Sequence, residues 1–390
     1  MKKNRFLSWL KENWLTVAVL CICTALFAVM YSYANSQFEE TVALSKQNSY
    51  RVYEKATVLK ILSDDSEQRE EFENKYVGSQ SLQVKITSGE YKNQTMTANN
   101  YIGALYGSRL KVGDSIIVII DIEQKEVNNV IVYEYNRSIP ILILIFLFFL
   151  ITIWVGGKKG AQSLIGLVIT ILSLVFILIP LLMIGFPTLL TVFLVCAYVA
   201  LFSFTLLGGV TKKTVCAMFG TIFGIGLSIV FGLLAQEIFR VDGMRMGDYV
   251  DALLQLKKAG MKIQLSGLLI AGMMISALGA VMDVAMSISS ALKELTTVNP
   301  NLTRKDIWKS GMNIGRDMIG TMTNTLILAF VGSSFLMVIY LWSLELPFYE
   351  LINSSLIATE IIHGLASSMG IILSVPFTVL VGTCIFYQKK

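Results

Sequence analysis

Three groups of residues could do chemistry in places where the surrounding sequence is apolar. Asp283 lies in the run GAVMDVAMSISSALKEL (279–295), with Ser287 and Ser290 one and two turns further along the same helical face. A carboxylate with hydroxyls beside it is a proton or cation site; the plain alternative is a helix-end aspartate that meets water. Arg316 and Asp317 open a second run, SGMNIGRDMIGTMTNTLILAFVG (310–332), in which Asp317, Thr321, Asn324 and Thr325 recur at spacings of three and four. That spacing makes a polar stripe about two turns deep, with Arg316 a natural counter-ion for Asp283. The plain alternative makes Arg316 and Asp317 interface anchors and Asn324 interhelical glue. Glu360 and His363, the only histidine, share a face at the start of a third run. A carboxylate and an imidazole relay a proton or hold a metal, though two ligands define no zinc site. An ionisable side chain inside a bilayer costs about 2.5–3.5 kcal/mol, so each of these asks for a reason.

The elements that position them are membrane helices. The chain has 390 residues, 54% of them hydrophobic and 15% charged, and a mean hydropathy of +0.65. A soluble domain carries about 25% charged residues, so a single large soluble enzyme is excluded. Disorder is excluded too, since it needs low hydrophobicity and high charge. The net charge of +5 gathers into no basic stripe of the kind that binds nucleic acid. Cys21, Cys23, Cys196, Cys216 and Cys384 all lie in apolar stretches, which offers neither a disulfide framework nor a zinc spacing.

A bilayer core needs roughly 20 apolar helical residues. Eight stretches qualify: 15–34, 139–155, 163–185, 188–207, 215–236, 264–288, 318–343 and 357–386. The first resembles a signal peptide but is long for one, and Tyr31 and Tyr33 form a belt-like pair, so an uncleaved anchor is expected. Lys2, Lys3, Arg5 and Lys11, then Lys158 and Lys159, then Lys212 and Lys213, then Lys293 to Arg316, and finally Lys389 and Lys390 make every second connection basic. The positive-inside rule therefore puts those connections and both termini in the cytoplasm. Residues 237–263 fit poorly: they should lie outside yet carry five basic residues nearly balanced by acidic ones. Leu253, Leu254 and Leu256 suggest an interfacial helix there; a misplaced span boundary is the alternative.

Residues 42–137 change character. The runs 55–62, 81–87, 115–123 and 128–134 alternate and are rich in Val, Ile and Thr, which reads as strands. The acidic stretch 64–77 is expected to form a short helix. Four or five strands make a small extracytoplasmic β-rich domain, OB-like in type. Acidic residues outnumber basic ones there, so it is read as a docking or lid module and not as a nucleic-acid binder. The expected organisation is an N-terminal tail and first helix (1–36), the β-rich domain (42–137) and a seven-helix membrane domain (139–390). The fold class is thus mainly α, polytopic, with about eight transmembrane helices and a small domain inserted after the first.

Gly220, Gly224 and Gly232 with Ser228 form a small-residue ridge that reads as helix packing. Pro180, Pro187 and Pro376 mark breaks or kinks. The paired glycines and lysines of GGKKG (156–160) and GGVTKKT (208–214) read as topology determinants, without the Walker pattern a phosphate loop needs. No Ser/His/Asp, paired-Cys or nucleotide motif stands out, so no enzyme and no cofactor are expected. An intramembrane hydrolase would need Ser367, four residues after His363, as its nucleophile.

The runs GGVTKKTVCAMFGTIFG, ALGAVMDVAMSISSALKEL, NPNLT and SGMNIGRDMIGTMTNTLILAFVGSS resemble the YibE/F family of bacterial multi-pass membrane proteins over roughly 139–385. The single span followed by an outer domain resembles its Gram-positive members. The resemblance implies a place in the bacterial cell membrane and supplies no catalytic residues. A fainter similarity joins Asp283, the basic connection and Thr321, Asn324 and Thr325 to SecF-type and other RND-like units, which couple proton flow to an outer domain. Two functions follow as expectations. One is a proton-coupled transporter or exporter using Asp283, Asp317 and Glu360. The other is a non-transporting scaffold whose outer domain docks a protein. The expected partners are the lipid bilayer, a protein at the outer domain and a second copy of the chain.

Overall fold

The computed structural model describes residues 13–45, 50–123, 126–241, 249–258 and 260–387. The chain divides into two compact units, 46–154 and the remainder, and each is described by itself.

The smaller unit holds strands β1 (Tyr50–Asp64), β2 (Glu67–Arg69), β3 (Lys75–Ile86), β4 (Thr95–Ile102), β5 (Ser115–Glu123) and β6 (Glu126–Tyr135). β1 pairs with both β5 and β3, so the order β1-β5-β6-β4-β3 closes on itself as a small five-stranded barrel. Period-two alternation fills it: Ile116, Val118 and Ile120 are buried while Ile117 and Ile119 are only partly covered. Val58, Leu82, Val84 and Ile86 meet them inside. The stretch 64–77 is not the short helix expected from its acidity. It folds as the β2–β3 hairpin, with one 3₁₀ turn (Glu70–Phe72) and Glu73 and Asn74 at φ 53° and 60°. Strand β4, TMTANNYI, escapes the sequence reading because its inward positions include Ala98 and Asn100.

The larger unit is a helical bundle. Its elements are α1 (Trp14–Ser45), α2 (Ser138–Ser173), a π turn (Leu174–Leu178), α3 (Ile179–Ile184), α4 (Thr188–Gly208), α5 (Lys212–Phe239), α6 (Tyr249–Lys258), α7 (Leu268–Val298), α8 (Arg304–Ser333), α9 (Phe335–Ser343), α10 (Phe348–Asn353) and α11 (Ser355–Phe386). The first residues of α2 fall in the smaller unit. Among the described residues six helical stretches are long and apolar enough to cross a membrane, or seven if the bent pair α8–α9 is one span. The sequence suggests eight, and the difference lies between 139 and 185. There the two expected spans are one 47-residue stretch, broken at Gly157, whose φ of 54° and ψ of −136° are not helical.

Pro180 explains the π turn. It has no N–H to give the Phe176 carbonyl four residues earlier. Asn35 of α1 donates to that carbonyl instead, Nδ2 to O at 3.0 Å. The Tyr198 hydroxyl donates to the Cys23 carbonyl at 3.3 Å, a second tie between α1 and the bundle. The small-residue ridge of α5 packs on α11 at Gly220 and Gly224 and on α7 at Gly232, as its spacing suggests. A Cβ at Gly220 would overlap Thr378, and one at Gly224 would come within 2.7 Å of Ser374 Cβ.

α6 is helical where an interfacial helix is expected, but residues 242–248 of the same connection lie outside the described residues. So do the basic residues Lys2, Lys3, Arg5, Lys11, Lys389 and Lys390.

Candidate functional site

The polar groups collect on α7, α8 and α11. On α8 and α7 a register can be read from packing: Gly311 lies against Leu292 and Gly315 against Ile288. The two helices are therefore antiparallel, and continuing that register sets Asp283 level with Gly320 and Ser276 level with Ile327. Gly311 and Gly315 also touch Val379 and Val375 of α11, which runs antiparallel to α8.

At the end of α8 away from the lysines, the helix bends by 58° into α9. The Ser334 hydroxyl at that bend donates to Glu360 Oε2 at 2.7 Å. One turn along α11, the His363 ring packs at a tilt of 41° against Phe330 with centroids 4.7 Å apart. Its Nε2 lies 3.4 Å from Ser276 Oγ. Ser276 Oγ is in turn 3.0 Å from Ser367 Oγ, and both serines donate to the Met273 carbonyl, at 3.0 and 3.2 Å. The imidazole lies over Gly272, where a Cβ would be in ordinary contact with Cε1 at 3.6 Å. A cavity of about 270 Å³ opens beside Glu360, walled by Ile327, Phe330, Val331 and Met337.

Deeper along α8, Thr323 Oγ1 is buried without a hydrogen-bond partner. Then come Asn324, Thr321, Gly320, Asp317 and Arg316, all exposed on the outside of the bundle. On α7, Gly279, Asp283 and Ser287 are exposed in the same way, four residues apart. Among the described residues neither Asp283 nor Asp317 has a hydrogen bond or ion pair to its carboxylate.

Two expectations change. Arg316 is not the partner of Asp283; its Nη1 donates to Asn313 Oδ1 at 3.3 Å, on its own helix. Nor do Arg316 and Asp317 open their helix, which starts at Arg304 behind a Thr303–Asp306 capping box. They sit about three turns in. The structure places Glu360 against Ser334 and, one turn on, His363 against Ser276 and Phe330, with Asp283 two turns down α7 from Ser276. Asp283, Ser287, Arg316, Asp317, Thr321 and Asn324 form a separate exposed face. The hydroxyl beside His363 is that of Ser276, not Ser367.

Ser276, Ser334 and Phe330 were not legible as site residues, and Ser367 was legible only as a nucleophile beside His363. Their partners are 26 to 91 residues away, and serines in apolar runs read as packing. The only available signal was the spacing of Ser276, Asp283 and Ser287 along one face of α7.

The β-barrel has a network of its own. Gln80 Oε1 accepts from Asn100 Nδ2 at 3.0 Å and from the Leu110 N–H at 2.9 Å. Gln80 Nε2 donates to Asp64 Oδ2 at 3.1 Å, and Arg109 Nε reaches the same oxygen at 2.9 Å. The Ser66 hydroxyl bonded to Asp64 holds its carboxyl well below the usual carboxylate range, with Arg109 and Gln80 adding to the effect. The network ties the loop between β4 and β5 to the barrel wall. That loop presents Leu105, 98% exposed, and Tyr106, 65% exposed.

Comparison with known proteins agrees with this division. Residues 144–388 match the YibE/F-like protein family, and residues 49–134 match the YibE/F family N-terminal domain. No curated protein and no solved structure matches the chain.

Proposed function

The chain belongs to the YibE/F family, and from that premise we propose that it is a proton-coupled secondary transporter or exporter of the bacterial cell membrane, with no enzymatic activity. One observation carries this reading: the ladder of polar groups along α8 and its neighbours. In order of depth it runs from Ser334 and Glu360 through His363, Ser276 and Ser367 to the unpartnered Thr323, and then, on the separate outward face, to Asp283 and Asp317. From Ser334 to Asp317 is seventeen residues, about 25 Å of helix, which is most of a bilayer core. Ionisable residues spread through that depth mark proton relays and ion pathways. Histidine exchanges protons near neutral pH, and carboxylates and hydroxyls can pass them on. The cavity beside Glu360 gives a solute a place: apolar walls and one carboxylate favour a small apolar molecule bearing a hydrogen-bond donor or positive charge. Both termini and the lysine-rich ends lie in the cytoplasm in this reading.

The test uses proteoliposomes with a pH-sensitive dye inside and an imposed proton gradient, with small cationic and neutral solutes added in turn. Wild type should dissipate the gradient in the presence of a transported solute. Asp283→Asn and His363→Gln should abolish that flux at equal reconstitution. Flux unchanged in both variants overturns the relay.

A second reading is favoured by a different observation. Leu105 and Tyr106 are exposed on a loop that the Gln80–Asn100–Asp64 network fixes. A rigid apolar tip on an OB-like barrel suits docking of another protein, with the chain as a scaffold. Leu105→Asp with Tyr106→Asp would then release the partner and leave proton flux untouched.

A further inference from the structure

The exposed face of α7 and α8 is wrong for lipid. Gly279, Asp283 and Ser287 on one helix and Arg316, Asp317, Gly320, Thr321 and Asn324 on the other are small, polar or charged, and point out of the bundle. Elsewhere the outward face of the bundle has the expected chemistry: Phe219, Phe223, Val230 and Leu234 on α5 are exposed and apolar. Gly279 and Gly320 have open space where a Cβ would stand. Small residues with hydrogen-bonding neighbours are how membrane helices approach one another closely. Unpaired carboxylates facing hydrocarbon are costly, and here two of them lie within about a turn of each other in depth.

We propose that a second copy of this chain covers this face, so that two chains pair through α7 and α8 and complete between them the lower part of the polar ladder. The charge pattern selects that occupant. The face carries both signs, Arg316 against Asp283 and Asp317, which is what a self-complementary interface needs. A two-fold axis along the bilayer normal brings equal depths together. Arg316 of one copy then stands within about a helical turn in depth of Asp317 and Asp283 of the other, and the cation and carboxylates without ion pairs in one chain are paired between two. Thr321 and Asn324 meet their own counterparts across the axis and supply interhelical hydrogen bonds. The inference rests on the transport reading only in giving this face a role in the path; the pairing itself stands on the face.

The experiment is disulfide cross-linking in native membranes. The five cysteines are replaced by alanine, and single cysteines are placed by Thr321→Cys, Asn324→Cys and, as a control on the apolar face, Val230→Cys. On mild oxidation Thr321→Cys and Asn324→Cys should give a species of twice 43.2 kDa, and Val230→Cys should not. The cysteine-free protein in nanodiscs should have the mass of two chains, and Asp283→Leu with Asp317→Leu should shift it toward one. Three results overturn the proposal: no cross-link at either face position, equal cross-linking at Val230, or a cross-link to a species of another mass. The outcome is independent of flux. A cross-linked but proton-tight pair would keep the interface and remove the transport reading. A conducting single chain would do the reverse.

Discussion

Substituting alanine at Gly220 isolates the cost of close helix approach. A Cβ there would overlap Thr378 Oγ1, stand 2.9 Å from Thr378 Cβ and lie 3.3 Å from its Cα. The Cβ of Thr378 is held by its backbone, so no rotamer change relieves that contact and α5 must move away from α11. Gly226, on the same helix, is the comparison. Its Cβ would meet nothing closer than Phe193 Cε2 at 3.9 Å, an ordinary contact. Both substitutions gain the same helix propensity, up to about 1 kcal/mol. The difference between them is therefore the overpacking cost alone, about 1–3 kcal/mol. Thermal unfolding of the full chain in detergent should put Gly220→Ala several degrees below Gly226→Ala. Adding Thr378→Gly removes the facing side chain and should return most of the loss, a coupling read from the double-mutant cycle. Equal midpoints for Gly220→Ala and Gly226→Ala would refute the argument that this contact sets the helix spacing.

Other outcomes follow from single contacts. Asn35→Leu removes the donor that replaces the missing Pro180 N–H at Phe176; it should cost about 1–3 kcal/mol and speed hydrogen exchange around 174–178. Gln80→Leu orphans the buried Leu110 N–H and the Asp64–Gln80 bond, so it should destabilise the barrel by about 2–4 kcal/mol and loosen the 103–110 loop, seen as faster exchange there. Asp64 is held below its unfolded value near 3.9. Its contribution is therefore fully present above about pH 4 and is lost as pH falls through the depressed folded value. Tyrosine fluorescence of the barrel should show acid unfolding in wild type that is shallower in Asp64→Asn, and identical profiles would remove Asp64 from the explanation. Gly157→Ala forces an L side chain to φ 54°; about 1–3 kcal/mol of strain should appear as a lower unfolding midpoint.

Some of this protein was determined by sequence alone. Apolar runs of bilayer length and a lysine pair at alternate ends state a membrane bundle, because hydropathy and charge act residue by residue. Alternating Val and Ile between 115 and 134 state strands for the same reason. The i,i+3 pair Glu360 and His363 and the polar stripe of α8 are also local, set by 3.6 residues per turn. What the tertiary structure alone decided is which of these groups meet. Ser276 of α7 and Ser334 at the α8–α9 bend join Glu360, His363 and Ser367 of α11, and serines in apolar runs carry no sign of their partners. Arg316 and Asp283 look like a pair in sequence, yet packing at Gly311 and Gly315 turns both outward. Helix facing is fixed by the close contacts of glycines against Val375, Val379, Ile288 and Leu292, and such steric fits depend on residues far apart in the chain. The break at Gly157 and the π turn over Pro180 follow the same rule. The sequence names the residues that permit them, and only the fold supplies Asn35 to satisfy the carbonyl that the proline leaves bare.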